Sequence, residues 1–600
     1  MDNLLTLLPA RHAAEHPDAP ALAAPDAEGK WFDITWGEFN DRVICAARAL
    51  VELGVDCQDC VATFSANRPE NLITDFALYR LRAVSVSIYA TSSPQQVAYI
   101  VDDAKCSVLF AGNATQYHYA REVQREHPGL KTIVVIKPIE LDADDQSSML
   151  WSDFMDLGRK ADTSVAAKVE TLTAAAKPAD IATLVYTSGT TGEPKGAILT
   201  HSNYTFALNA HRERLTMVTP SDVSMAFLPL SHIFEKGFTY YCLVVGTKVA
   251  VNRDPHLIQD TIKIVRPTCM CAVPRFWEKV YTAVQEKIAT MGLIQRSMVK
   301  VALRVGHRRN IDYVRRGLPV PPLVEKAYRF YDKHVFALLR GAIGINSPNI
   351  FPTAGAPVSD TIVEFFHSCG LFLMVGYGLS ETTATVTCFP MEGYEIGSVG
   401  TPLPGVQVRI GSNSEVEVKG KTVMRGYYNK PQATAEAFTK DGWFRTGDAG
   451  YIDTHGALFL TERIKDLFKT SNGKYIAPQA IESRLGTDKM IEQVAVIGDN
   501  RKFVSALIVP NYEALRVWGA ERKLTLDTPA QIAASPEVHK LMEERLEKLQ
   551  RGLAPYEKIK RFTIMPHEFT MEAGELTNTL KLKRRVVADK YKDLIEKMYQ

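Results

Sequence analysis

Residues 186–196 read YTSGTTGEPKG and directly follow the apolar run IATLV at positions 181–185. Glycine and hydroxyl-bearing residues at 187–192 leave backbone N–H groups exposed, supply O–H donors and let a polyanion approach closely. Lys195 adds a positive charge to the same loop. The segment therefore predicts a triphosphate-binding loop that follows a buried strand.

This loop differs from the phosphate loop of nucleotide kinases and GTPases. That loop has the pattern GxxxxGK[ST], whereas Lys195 is followed by Gly196 and Ala197. The alternative is a Gly/Thr turn without a ligand, and the length of the specific run argues against it. The predicted phosphate-binding residues are Thr187, Ser188, Gly189, Thr190, Thr191, Gly192 and Lys195.

Short apolar runs alternate with helical patterns on both sides of the loop. Four of these runs are KTIVVIK (131–137), TKVAVN (247–252), PTCMCAVP (267–274) and LFLMVGYG (371–378). Continuous apolar runs of this length are typical of strands buried on both faces, and with helices between them they predict an α/β fold. Residues 161–180 are rich in Ala and Thr, and we expect a surface connection there.

Three other regions differ in pattern. Residues 275–340 predict a helical insertion of long, basic, amphipathic helices, either simply solvated or in contact with a membrane surface. From about residue 400, many glycines and short alternating segments predict a small β-barrel-like subdomain. After residue 461 we expect a smaller α+β domain with a hairpin (FKTSNGKYIAP), a strand pair (EQVAVIGD and SALIVPN) and a helix (EVHKLMEERLEKLQRGL).

Composition excludes several classes of protein. The 600 residues contain 70 Lys+Arg and 68 Asp+Glu, so the net charge of +2 does not predict a nucleic-acid partner. Hydrophobic residues at 46% fit a folded protein with large cores. We find neither a long apolar run nor a signal-peptide pattern, and the nine cysteines do not form a disulfide or zinc pattern. We therefore expect a cytoplasmic protein.

Six further motifs occur in chain order with the loop: LPLSHIFE (228–235), TAGAPVS (353–359), GYGLSETT (376–383), GWFRTGDAG (442–450), TERIKDLFKTSNGKYIAPQAIE (461–482) and LTNTLKLKRR (576–585). Together they resemble the acyl-adenylate-forming (ANL) superfamily of AMP-binding enzymes over about residues 1–600. SHIFE, GYGLSETT and TLKLKR are most similar to the AMP-forming long-chain fatty acyl-CoA synthetases.

The resemblance implies a two-step ligase. A fatty acid reacts with ATP to give acyl-AMP and pyrophosphate, and coenzyme A then displaces AMP to give acyl-CoA. ATP, Mg²⁺ and coenzyme A are the implied cofactors. The implied catalytic residues are Lys581, which would bridge the acid and the α-phosphate, Glu381, which would bind Mg²⁺, and His232, which would orient or gate the acid.

The same resemblance assigns the nucleotide contacts. Tyr377 would stack on adenine, with Gly376 and Gly378 allowing close approach. Ser380 would contact the α-phosphate. The remaining implied contacts are Gly355 and Ala356 beside adenine, and Asp448 and Arg463 on the ribose.

Two domains are implied, 1–464 and a mobile 465–600, with a hinge near Lys465. Gly473 would either make room for the pantetheine arm of coenzyme A or occupy an ordinary hairpin turn. A long acyl chain would need an apolar channel near 232–275 and 300–380. Lys236 falls where some relatives carry an aromatic gate, so the sequence does not specify the gate.

The sequence leaves three alternatives open. They are an acyl-AMP ligase that serves a carrier protein, an aryl or medium-chain acyl-CoA ligase, and a catalytically silent lipid-binding homologue. A silent homologue would not need Lys581, Glu381 and an intact phosphate loop together, so their presence argues against this last alternative. Oligomeric state is also open between monomer and homodimer, and peripheral membrane contact stays a hypothesis.

Overall fold

The chain forms a mixed α/β structure with a large N-terminal domain and a smaller C-terminal domain, as the sequence predicts. The structure is a computed structural model that describes residues 5–187, 193–463, 468–471, 474–577 and 581–600. The N-terminal domain begins with the helix Leu8–Glu15 and contains four sheets.

A seven-stranded sheet carries the predicted phosphate loop. Its strands, in spatial order, are Ser148–Leu150, Thr132–Val135, Val108–Ala111, Cys60–Phe64, Val84–Ile88, Ile181–Thr187 and Lys195–Thr200. All neighbours are parallel except the last pair, so the loop connects two antiparallel strands at the edge of the sheet. The helices that accompany this sheet in sequence are Trp36–Glu52, Pro69–Arg80, Pro94–Ala104, Ala114–Glu126, Trp151–Lys160 and Thr163–Ala174.

The segment 161–180 lies mostly at the surface, as expected, but it contains the last of these helices, which the sequence analysis did not predict. Asp162 caps the helix, because its carboxylate accepts hydrogen bonds from the N–H groups of Ser164 and Val165. The alanines behind this cap favour helix, and Val169 is buried against the domain.

Two four-stranded sheets form the second part of the domain. One contains Val223–Ala226, Lys248–Val251, Pro20–Pro25 and Trp31–Thr35, and the other contains Phe351–Thr353, Leu373–Tyr377, Thr387–Cys388 and Thr401–Pro402. The predicted strands near 247–252 and 371–378 are confirmed. The run 267–274 is not a regular strand, because its Cys269 bridges to Ser224 and its Ala272 bridges to Thr353, so it joins the two sheets instead.

The predicted helical insertion is confirmed. Its helices are Pro274–Thr290, Leu293–His307, Pro322–Tyr331 and Ala337–Ile343, with π-helical turns at Arg308–Tyr313 and Asp332–Phe336. The helix Asp360–Ser368 packs beside it. The other helices of this part are His201–Arg214, Ile233–Val245 and Ile258–Val265.

The expected β-rich subdomain is an antiparallel meander of four strands, Gln407–Ile410, Glu415–Lys419, Phe444–Ile452 and Leu458–Arg463. It is not a closed barrel, since its first and last strands do not pair among the described residues. Four strands are too few to close around an interior filled by side chains. The short helix Pro431–Ala437 precedes its third strand.

The C-terminal domain matches the predicted order of elements. The hairpin Phe468–Lys469 and Tyr475–Ile476 comes first, and the strands Ile491–Ile497 and Val504–Pro510 pair antiparallel. Ile559–Ile564 adds a third strand parallel to the second. The helices are Pro478–Leu485, Tyr512–Ala520, Pro529–Ala534, Pro536–Leu549, Arg584–Lys590 and Lys592–Tyr599.

Cysteine and hydropathy give two further observations. All nine cysteines are free thiols, and seven of them, including Cys60, Cys269 and Cys271, are buried. Among the described residues, no helix combines the length and the hydropathy that a membrane crossing requires.

His201 predicts how stability depends on pH. Both ring nitrogens are buried without a hydrogen-bond partner among the described residues, and burial lowers the pKa of His201 to about 4. In the unfolded chain this histidine takes up a proton near pH 6.5, whereas in the folded chain it does so only near pH 4. The free energy of unfolding therefore falls as pH falls from 6.5 towards 4. His201→Phe removes this contribution. Between pH 6.5 and 4.5 the wild type should therefore lose about 2 kcal/mol more of its free energy of unfolding than the variant loses.

Urea unfolding at several pH values measures this difference. The exposed His455 provides the control, because His455→Gln should follow the wild type. An equally steep loss of stability in His201→Phe and the wild type would contradict the assignment.

Candidate active site

A cavity of about 1040 Å³ lies between the sheets of the N-terminal domain and is covered by the C-terminal domain. Thirteen of the predicted site residues line it: Thr187, Lys195, His232, Gly355, Ala356, Gly376, Tyr377, Gly378, Ser380, Glu381, Asp448, Arg463 and Lys581. The other predicted residues, Ser188, Gly189, Thr190, Thr191, Gly192 and Gly473, lie outside the described residues, as does Lys465.

Tyr377, Asp448 and Arg463 form one connected group in the wall. Tyr377 ends the strand Leu373–Tyr377, and its hydroxyl donates to Asp448 Oδ2 at 2.5 Å. Asp448 and Arg463 face each other on neighbouring strands of the meander, with 3.3 Å between Arg463 Nε and Asp448 Oδ1. Burial and the nearby Asp448 carboxylate hold the pKa of Tyr377 well above its ordinary value, so the hydroxyl stays a donor. Two sheets thus meet at this wall of the cavity.

The glycines beside Tyr377 have a steric reason within the protein itself. A Cβ on Gly378 would lie 1.5 Å from the carbonyl oxygen of Ala384, and a Cβ on Gly376 would lie 3.0 Å from that of Thr387. The chain turns back on itself so tightly at Gly378 that only glycine fits, while a side chain at Gly376 would be tightly crowded. The sequence predicted these glycines for their closeness to a ligand, and the structure adds backbone packing as a separate requirement.

Glu381 and Lys195 both contact the same tyrosine, Tyr427. The hydroxyl of Tyr427 donates to Glu381 Oε1 at 2.9 Å, and Lys195 Nζ lies 5.2 Å from the centre of the Tyr427 ring. Glu381 is only 9% exposed, so its carboxylate is oriented and largely shielded from bulk water. Tyr427 therefore holds a cation and a carboxylate on one wall.

Sequence reasoning missed Tyr427. It lies in a segment that runs beside the strand Lys195–Thr200: Ile198 N–H donates to the carbonyl of Gly426, and Tyr428 N–H donates to that of Gly196. The preceding Met424 N–H donates to the carbonyl of Glu381. Because this pairing joins residues more than 200 positions apart, spacing within the motif RGYYN could not reveal it.

His232 caps the helix Ile233–Val245. Its Nδ1 accepts the N–H of Phe234 at 3.2 Å, so the neutral ring carries its proton on Nε2. The pKa of His232 is lowered to about 4, mainly by burial and to a smaller extent by the positive charge of Lys581. His232 is therefore a neutral hydrogen-bond donor at physiological pH and not a general base.

Lys581 reaches the cavity from the C-terminal domain. Its backbone N–H donates to Thr577 Oγ1 at 3.0 Å, and Thr577 N–H donates to the Lys581 carbonyl at 2.8 Å. These reciprocal bonds fix the backbone at the lysine, while its side chain is exposed on the cavity side. Thr577, Gln479 and Ala480 also line the cavity from this domain.

Charged contacts hold the C-terminal domain in this position. Arg275, at the start of the helix Pro274–Thr290, lies 2.8 Å from Glu492 Oε1 and also donates to the Glu492 carbonyl. Lys279 Nζ lies 3.4 Å from the same carboxylate. We call these three residues the interdomain latch.

Part of the cavity lining is apolar. It includes Leu215, Ile233, Phe234, Phe238, Val363, Met374, Cys388 and Phe389. The helix Ile233–Val245 and the strand Leu373–Tyr377 contribute, as expected for an acyl channel, whereas no residue between 239 and 351 lines the cavity. The helical insertion is therefore not part of the wall.

Lys236 does not line the cavity and cannot gate it. Its ammonium lies 2.8 Å from Asp75 Oδ2 and donates to Ser87 Oγ, and both partners of this ion pair are less than 5% exposed. Asp75 also accepts from the hydroxyls of Ser85 and Tyr240. This buried network fixes the helix that His232 begins.

Comparison with known proteins agrees with this arrangement. The profile described as AMP-binding enzyme matches residues 9–428, and the profile of the AMP-binding enzyme C-terminal domain matches residues 465–600. The long-chain-fatty-acid–CoA ligase FadD15 of Mycobacterium tuberculosis is 33% identical over 574 residues, covering 95% of this chain and 93% of that protein. Long-chain-fatty-acid–CoA ligase 5 of Rattus norvegicus is 29% identical over 602 residues, covering 96% and 85%.

Solved structures share the fold. The anthranilate CoA ligase AuaEII in complex with anthranoyl-AMP aligns with a TM-score of 0.73 at 17% identity, covering 99% of this chain and 98% of that one. ATP-bound MatB from Rhodopseudomonas palustris aligns with a TM-score of 0.67 at 21% identity, covering 98% and 99%. The profile matches span most of the sequence, and the chain belongs to the AMP-binding enzyme family.

Proposed function

We propose that the chain is an AMP-forming ligase that joins a long-chain fatty acid to coenzyme A, with acyl-AMP as the intermediate. The observation that carries this proposal is a single cavity shared by three kinds of groups. Lys195 and Lys581 suit a polyphosphate and Glu381 suits the cation that accompanies it. Tyr377, Asp448 and Arg463 suit a nucleoside, and an apolar lining suits an acyl chain. The FadD15 and rat relatives named above are long-chain-fatty-acid–CoA ligases, which supports this choice of acid.

Acyl-AMP formation needs the carboxylate and the α-phosphate, both negative, to meet. Lys581 would neutralise charge between them as the carboxylate oxygen attacks phosphorus and pyrophosphate leaves. The neutral His232 would donate from Nε2 to the acid and hold it in line, without taking its proton. Ser380 would contact the α-phosphate, and Tyr377, with Gly355 and Ala356, would bound the adenine.

The residues present fit Mg²⁺. A shielded carboxylate oriented by a neighbouring hydroxyl is a hard oxygen ligand, and Mg²⁺ usually completes its coordination with phosphate oxygens and water. Glu381 would hold the ion. Bound there, Mg²⁺ would neutralise the phosphates of ATP and stabilise the leaving pyrophosphate.

Thioester formation would use the C-terminal domain differently. We propose a hinge near Lys465, between domains 1–464 and 465–600, that withdraws Lys581 and brings the Gly473 segment to the cavity. The coenzyme A thiol would then attack the acyl carbonyl and AMP would leave. We place the enzyme in the cytoplasm, since nine free thiols fit a reducing compartment that also supplies ATP and coenzyme A.

An AMP-release assay tests the proposal across acids from acetate to an eighteen-carbon chain, with aromatic acids included. We expect the highest kcat/KM for long-chain acids, and release that depends on coenzyme A. Fast pyrophosphate exchange without a thioester product would favour an acyl-AMP ligase that serves a carrier protein. Preference for short or aromatic acids would overturn the choice of substrate, and no exchange with any acid would mean a catalytically silent homologue.

Lys581→Ala separates the two half-reactions. We expect the rate of acyl-AMP formation, measured as pyrophosphate exchange, to fall by at least about a hundredfold. The reason is that one preorganised charge at the transition state contributes about 3 kcal/mol. Thioester formation from supplied acyl-AMP should stay within a few fold. Lys583→Ala, two residues away, is the control for exchange, and equal loss of both half-reactions in Lys581→Ala would contradict the assigned role.

Glu381→Gln tests the metal site. The amide oxygen can still accept from Tyr427, so the wall stays intact, but the charge that attracts the cation is lost. We expect the Mg²⁺ concentration for half-maximal exchange to rise about tenfold or more. Glu436→Gln, on the same cavity, should not change it; an unchanged Mg²⁺ response in Glu381→Gln would remove this residue from the metal site.

A further inference from the structure

Residues 291–340, which we call the basic helices, expose unusual amounts of apolar surface. Nine of the twenty large apolar side chains that are exposed among the described residues lie in this segment. Four of the nine are also the most exposed of all twenty: Ile294 at 86%, Leu293 at 84%, Leu323 at 83% and Leu338 at 72%. Such a concentration of exposed apolar side chains in one segment is typical of a surface that binds a partner.

The basic helices also concentrate positive charge. They contain eleven Lys and Arg against three Asp and Glu, a net charge of +8, while the whole chain carries +2. The rest of the chain therefore carries −6. An excess confined to one segment indicates a negatively charged partner at that place.

The few acidic groups are already occupied. Glu325 pairs with Arg309 and Arg329, and Asp332 pairs with Arg340. Asp312 lies 3.8 Å from His307. Seven basic residues have no salt bridge within the described part of the chain: Arg296, Lys300, Arg304, Arg308, Arg316, Lys326 and Lys333.

The helix Leu293–His307 shows how charge and apolar surface are combined. It buries Val299, Ala302 and Gly306, and a Cβ on Gly306 would lie 2.1 Å from the Ser368 carbonyl, so this side packs closely on the helix Asp360–Ser368. At 3.6 residues per turn, its opposite side carries Lys300 and Arg304 together with Leu293 and Val301. Ile294 and Met298 are exposed along one edge of that side, and Arg308 begins the following π-helical turn.

The neighbouring helix repeats the pattern. Pro322–Tyr331 packs against Leu293–His307, and it exposes Leu323, Lys326 and Phe330 at helical spacing. Two adjacent helices thus each present apolar side chains flanked by cations. This is the composition of helices that lie in the interface of a lipid bilayer.

We propose that the basic helices dock the enzyme on the surface of an anionic lipid bilayer. Apolar side chains such as Ile294 and Leu323 insert between headgroups, while Lys and Arg bind the lipid phosphates. Each cation near an anionic membrane favours binding, and the apolar area that becomes buried adds to it.

Charge argues against a second copy of the chain as the occupant. A twofold interface would bring the same +8 segment of each copy together, and like charges at an interface oppose association. An anionic bilayer is complementary in both charge and hydropathy.

Docking here would leave the cavity free. The helix Asp360–Ser368 stands between the two, since its Asp360 and Val363 line the cavity while its end packs on Leu293–His307. The inference goes beyond the proposed function and needs no turnover to be observed. Docking would also bring the enzyme to the bilayer in which long-chain acids dissolve.

Vesicle sedimentation with the full chain tests the proposal. We expect co-sedimentation with vesicles of phosphatidylcholine mixed with phosphatidylglycerol, little with phosphatidylcholine alone, and weakening as NaCl is raised. The triple variant Lys300→Glu/Arg304→Glu/Arg308→Glu should bind anionic vesicles more than about tenfold less tightly. Leu293→Ser/Ile294→Ser should also lower binding, and most clearly at high salt.

Matched controls lie in the C-terminal domain. Lys540→Glu/Lys548→Glu/Lys560→Glu changes the same net charge, and Val517→Ser removes another exposed apolar side chain; both should bind like the wild type. Circular dichroism and exchange activity report whether each variant is folded. Because sedimentation does not require activity, an enzyme that docks but activates no fatty acid would reject the proposed function and keep the docking surface.

Three results would overturn the docking proposal. One is absence of binding to anionic vesicles at low salt. Another is equal weakening by the variant and control triple substitutions, which would indicate only net charge. The third is a concentration-dependent dimer in sedimentation velocity that Leu293→Ser/Ile294→Ser abolishes while vesicle binding is unchanged, because the face would then be a contact between copies.

Discussion

The buried ion pair between Asp75 and Lys236 fixes the geometry on which the cavity depends. Two charges less than 5% exposed would be strongly destabilising if they were not neutralised and hydrogen-bonded. Here the carboxylate also accepts from Ser85 and Tyr240, and the ammonium donates to Ser87. The pair therefore ties the first turn of the helix Ile233–Val245 to the helix Pro69–Arg80, and the two serines tie both helices to the strand Val84–Ile88. His232 and Phe234 are held in the wall as a result.

The rest of the cavity follows from where strands end. Thr187 ends a strand of the seven-stranded sheet, Tyr377 ends a strand of another sheet, and Asp448 and Arg463 lie opposite each other in the meander. Side chains from three sheets converge on one crevice. Thr187 and Tyr377 lie at the carboxyl ends of their strands, the usual place for ligands in α/β proteins, whereas Asp448 lies within its strand. Short links such as Tyr377 to Asp448 and Tyr427 to Glu381 then join the separate sheets into one wall.

Much of this arrangement could be predicted from local sequence. Strands such as Ile181–Thr187 are continuous apolar runs, and the motif residues carry their chemistry in adjacent positions. Tyr427 could not be found, because its role arises from pairing with a strand more than 200 residues earlier. The helix Thr163–Ala174 was missed because Ala and Thr lack an apolar period, although Asp162 offered a cap. Residues 267–274 carry the composition of a strand, but they change partner between two sheets.

The interdomain latch has a consequence for control of the reaction. Arg275 and Lys279 hold Glu492 by charge at a partly exposed boundary, where the side chains remain 26–65% accessible. If the C-terminal domain rotates as proposed, this charged contact breaks in every cycle. Dissolved ions weaken such contacts far more than they weaken apolar packing. A higher ionic strength would then weaken the interdomain latch and lower the fraction of molecules in the acid-activating arrangement. The fraction in the thiol-accepting arrangement would rise.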